Sequence, residues 1–123
     1  MNAQLALRPT RILAATVLLL LTASVRAADP GSLFGKWIEK FANGSGMVTE
    51  FTAGTLSYYP VDAAGKPTEA ARQNEVTYLD LDKETIRVNL QGGGAISVLI
   101  KDTKNIVLDY GGTGTHRLVR LAP

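Results

Sequence analysis

Between Glu75 and Leu121 the chain repeats one pattern, a short apolar or alternating run followed by a tight-turn cluster, and this narrows its possible folds more than any other feature. The runs are Glu75-Val-Thr-Tyr-Leu79, Thr85-Ile-Arg-Val-Asn-Leu90, Ala95-Ile-Ser-Val-Leu-Ile100, Asn105-Ile-Val-Leu-Asp-Tyr110 and His116-Arg-Leu-Val-Arg-Leu121. Between them lie Asp80-Leu-Asp-Lys-Glu84, Gln91-Gly-Gly-Gly94, Lys101-Asp-Thr-Lys104 and Gly111-Gly-Thr-Gly114, all rich in turn formers. Ile86, Val88 and Leu90 share one parity against Arg87, Asn89 and Gln91, as a sheet with one core face and one wet face requires. The pattern predicts an antiparallel meander.

The preceding stretch follows the same rhythm. Residues 33–41 read as a first strand, with Gly35, Trp37 and Glu39 on one parity and Phe34, Lys36 and Ile38 on the other, so neither face is cleanly apolar. Asn43-Gly-Ser-Gly46 is a hairpin signal, residues 47–52 a second strand, Ala53-Gly54 a turn and residues 55–59 a third strand. Residues 60–74 break the rhythm with two prolines and no alternation, and read as a long loop in which Thr68 caps one helical turn. The total is about eight strands, a number that tends to close into a barrel because closure removes exposed edges. The fold expected is all-β, an up-and-down barrel, with an open sandwich as the alternative.

Residues 1–27 have a different character. Arg8 and Arg11 precede an apolar run of about 12 residues starting at Ile12, and Val25 and Ala27 are suited to cleavage after Ala27. That is a secretory leader, too short for the ~20 residues of a membrane span. Its removal leaves 96 of the 123 residues, one domain over residues 28–123, with no transmembrane anchor. Loss of Arg8, Arg11 and Arg26 takes the 13 basic side chains to 10 against 11 acidic, so the mature charge is −1 with His116 neutral. No basic stripe remains to hold nucleic acid. Cysteine is absent, which removes disulfides, thiolate metal sites and a lipidated cysteine. The expected location is the periplasm or the extracellular medium.

Gly35-Lys-Trp37 in the first strand, Phe51-Thr-Ala-Gly-Thr55 at the next hairpin, the up-and-down layout and Leu118-Val-Arg120 near the end together resemble small bacterial exported proteins with a lipocalin-like, or calycin, domain. The resemblance implies that Trp37 lies across the closed end of a barrel. It also implies that a late arginine, Arg117 or Arg120, packs on the ring and hydrogen-bonds nearby chain. Gly35, Trp37 and Arg120 are then structural. Short strands also permit a barrel filled by its own side chains.

Candidates for chemistry are few. His116 is the lone histidine, and no Gly-x-Ser-x-Gly elbow accompanies it. One histidine does not make a zinc site. Asp80, Asp82 and Glu84 lack the spacing of a calcium loop, and the Gly-rich turns open no helix as a phosphate loop would. Glu39 and Glu50 form a pair of carboxylates only if the first hairpin sets them opposite each other. The expectation is therefore a non-enzymatic binder with no cofactor and no metal. A small apolar ligand would lie among Trp37, Phe51, Tyr58, Tyr78 and Tyr110. The alternative is a protein-interaction module, envelope-associated or inhibitor-like, acting through a strand edge or the 60–74 loop.

Overall fold

The computed structural model describes residues 29–122. The expected secretory leader and the cleavage expected after Ala27 lie outside them.

A 3-10 turn, Pro30–Leu33, leads into eight strands: β1 (Gly35–Lys40), β2 (Gly46–Phe51), β3 (Thr55–Val61), β4 (Arg72–Asp80), β5 (Thr85–Leu90), β6 (Ala95–Ile100), β7 (Asn105–Asp109) and β8 (Thr115–Arg120). Each pairs antiparallel with the next, and β8 returns to β1 to close a barrel, so the open sandwich is displaced. The closing seam is short, pairing Trp37 with Arg120 and Ile38 with Val119. The Leu121 N–H extends it by donating to the Lys36 carbonyl at 2.9 Å.

Strand parity sorts the side chains. Trp37, Phe51, Leu56, Val76, Ile86, Val88, Val98, Ile106, Leu108 and Leu118 are buried together with Leu33 as the core. On the outer surface Val119, Ile38, Val48 and Tyr59 are successive cross-strand partners over β8, β1, β2 and β3. This outer row explains the mixed faces of β1, where Ile38 packs outside while Trp37 packs within.

Two expected boundaries move. Leu33 belongs to the 3-10 turn because the Asp29 side chain accepts the Gly31 N–H at 3.0 Å and Pro30 takes the first turn position. The 60–74 segment is shorter as a loop than its prolines suggest, since Pro60 and Val61 finish β3, Arg72 already starts β4, and Val61 bridges Pro67. Pro60 is tolerated because its carbonyl accepts the Thr68 N–H on the side away from β2, so its missing N–H removes no bond of the β2 ladder. No helical turn forms at Thr68, because the chain bends there and is already extended as β4 from Arg72.

The last four strands are two copies of one hairpin, offset by 20 residues. Ile86 faces Val98 as Ile106 faces Leu118, and Val88 faces Ile96 as Leu108 faces His116. Asp82 and Asp102 cap equivalent turns, their carboxylates accepting the Glu84 and Lys104 N–H groups at 2.8 Å.

Candidate functional site

The barrel has two unlike ends. One is plugged by the 3-10 turn and by Trp37, which is 1% exposed and donates its indole N–H to the Leu33 carbonyl at 2.8 Å. The Arg120 guanidinium lies 4.1 Å over that ring. Its Nη1 donates to the Phe34 carbonyl at 3.0 Å, its Nη2 to the Ser32 carbonyl at 2.6 Å and its Nε to the Thr103 carbonyl at 2.9 Å. Gly35 adopts φ +122°, and a Cβ there would stand 3.0 Å from Arg120 Nη1. Glycine is thus demanded twice, by backbone and by space. Arg117 has the outward parity and pairs with Val107.

Tyr78 and Phe51 belong to the same half. Tyr78 donates its hydroxyl hydrogen to the Thr52 carbonyl, tilts against Phe34 at 5.6 Å between ring centres, and has its pKa pushed up to about 12 by burial. Phe51 is fully buried in the core. A depression of about 690 Å3 on the outside of this end is bordered by Ser32, Phe34, Thr103 and Arg120. All three nitrogens of Arg120 are already committed to backbone there, which makes it part of the plug.

At the other end the interior opens into a pocket of about 580 Å3, within the size range of small-molecule sites. Leu56, Leu90, Ile96 and Met47 form apolar walls, Thr49 and Asn74 add polar groups, and Phe41, Tyr58 and Tyr110 stand around the mouth. All except the turn residues have the inward parity of their strands, so the pocket is the upper half of the barrel lumen.

Its one carboxylate and one imidazole meet on a wall. Glu39, next but one after Trp37 on β1, holds His116 of β8, with Nδ1 at 3.0 and 3.1 Å from the two carboxylate oxygens. The Tyr110 ring meets the His116 ring edge-on at 5.1 Å. The Tyr110 hydroxyl is raised above its ordinary pKa, first by burial and then by the neighbouring Glu39 charge and Tyr58. The cluster is therefore partly screened from water, where a charge acts over a longer range.

No protein-family model, curated protein or solved structure matches this chain. The reading of the site consequently rests on its own geometry.

The ligand set expected from the aromatic residues divides between the ends. Tyr58 and Tyr110 line the pocket; Trp37, Phe51 and Tyr78 build the plug and the core beneath it. Glu39 and Glu50 are not brought together, because the register sets Glu39 opposite Met47 and Lys36 opposite Glu50, on opposite faces of the sheet. Asp82 is occupied as a turn cap. The contact that sequence reasoning missed is that of Glu39 with His116. Its signal was the 20-residue repeat, in which His116 takes the inward position that Ile96 holds in the other copy.

Proposed function

We propose that this protein is an exported, non-enzymatic small-molecule binder of lipocalin-like type, holding the apolar body of its ligand in the open half of the barrel. The observation that carries the reading is the division of the lumen. One half is packed solid around Trp37, and the other is an open pocket with apolar walls and a small set of polar groups on them. That combination suits binding, with orientation fixed by few polar contacts. Export is supported by the leader-like residues 1–27.

A neutral naphthylamine dye tests it. Its fluorescence should rise on binding the wild-type protein, and Leu90→Trp, which fills the mouth, should abolish the rise while circular dichroism shows the fold retained. An equal response from the filled variant, or none from the wild type, refutes the reading. The interaction-module alternative keeps its loop version, because the closed strand order leaves no long free edge among the described residues.

A further inference from the structure

We propose that the open-end pocket selects an organic cation, an amphiphile whose apolar body fills the lumen and whose ammonium group docks on the Glu39 carboxylate beside Tyr58 and Tyr110. This rests on the reading of the barrel as a small-molecule binder and names the ligand class.

Among the residues lining the pocket Glu39 is the one acidic group, and neither lysine nor arginine lines it. Cations on the neighbouring strands are directed elsewhere by parity. Lys36 and Lys40 pair with Glu50 and Gly46 on the outer face of β1 and β2, Arg117 is outward on β8, and Arg120 is bound at the plug. Arg72 has the inward parity of β4, opposite Tyr58, but with Glu69 it borders an adjoining recess of about 240 Å3 and not the pocket itself.

Glu39 also has capacity left. A carboxylate offers about four lone-pair directions, and among the described residues the one side chain hydrogen-bonded to Glu39 is His116, through a single ring nitrogen. A partly buried carboxylate is costly unless its acceptors are filled. A ligand N–H or ammonium group lowers that cost, whereas a ligand carboxylate or sulfate adds a like charge to it. Tyr58 and Tyr110 add electron-rich ring faces, which attract alkylated ammonium groups where water is excluded. The repeat points the same way, since the inward position that is Ile96 in one hairpin has become an imidazole beside an acid in the other. The pair is thus an addition to a mostly apolar lumen whose other polar side chains, Thr49 and Asn74 among them, carry no charge.

The test is a calorimetric series on the full mature chain with octyltrimethylammonium, octanol and octanoate, which share one tail and differ in head charge, all below micelle-forming concentrations. The ammonium should bind at least about tenfold more tightly than octanol, and octanoate should be weakest. Glu39→Gln should erase the preference for the ammonium over octanol, while His116→Gln, which spares the carboxylate, should preserve the order. Octanol or octanoate binding the wild type as tightly as the ammonium overturns the cation assignment but leaves the small-molecule reading standing. Failure of all three probes to bind overturns both. If Glu39→Gln does not fold, the wild-type series and His116→Gln decide the matter.

Discussion

The Arg120 guanidinium ties two separate stretches of backbone, the 3-10 turn at Ser32 and Phe34 and the β6–β7 turn at Thr103, to the face of Trp37. Lysine has no planar fork to reproduce this. Arg120→Ala should cost about 2–3 kcal/mol in urea unfolding, with Arg120→Lys recovering only a minor part. Gly35→Ala should cost about 1–3 kcal/mol, from its positive φ and the close guanidinium together. Asp82 and Asp102 make a different kind of contribution. Both are held below the ordinary carboxylate pKa, chiefly by the backbone N–H groups of Glu84 and Lys104 respectively. A carboxyl more acidic when folded stabilises the fold above its unfolded pKa, and that stabilisation disappears as the pH falls through the folded value. The double variant Asp82→Asn, Asp102→Asn keeps an acceptor in each turn and loses the titration. Its melting temperature should therefore fall less than the wild type's between about pH 5 and about pH 2.

At the scale of elements, the hairpin β5–β6 and the hairpin β7–β8 carry the same register, and the turns that lead into them, β4 to β5 at Asp82 and β6 to β7 at Asp102, are capped alike. Transplanting Lys83-Glu84-Thr85 onto positions 103–105 (Thr103→Lys, Lys104→Glu, Asn105→Thr) should change stability by less than about 1 kcal/mol, because the Asp102 cap and the Thr103 carbonyl that meets Arg120 are both kept. A larger loss in thermal unfolding would show that the two turns are not interchangeable. The alternating runs of β5 to β8 were legible because period-two patterning is local. The end of β3 and the start of β4 were hidden, because Pro60 reads as a breaker unless the chain is known to have left β4's side of the strand at that point.

For the whole molecule, the closing seam decides where the barrel gives first. β1 and β8 pair at two positions, whereas β1 and β2 pair at six. Native-state hydrogen exchange should find the Leu121 amide, which donates to the Lys36 carbonyl across the seam, less protected than those of β5 and β6. In Arg120→Ala that gap should widen, since the side chain staples the seam to the plug. Equal protection around the barrel would show that closure is not the weak point.

What the sequence determined by itself was the strand count and the meander, because alternation and turn chemistry are properties of neighbouring residues; the plug of Gly35 and Trp37 was implied by resemblance alone, which left Arg117 and Arg120 as alternatives. The division of the aromatic residues between plug and pocket needed the tertiary structure, because every inward side chain has the same parity whichever end of the lumen it occupies. So did the meeting of Glu39 with His116, which are 77 positions apart and become neighbours only when β8 returns to β1. Barrel closure supplied that contact, and with it the one charged feature on an otherwise mostly apolar wall.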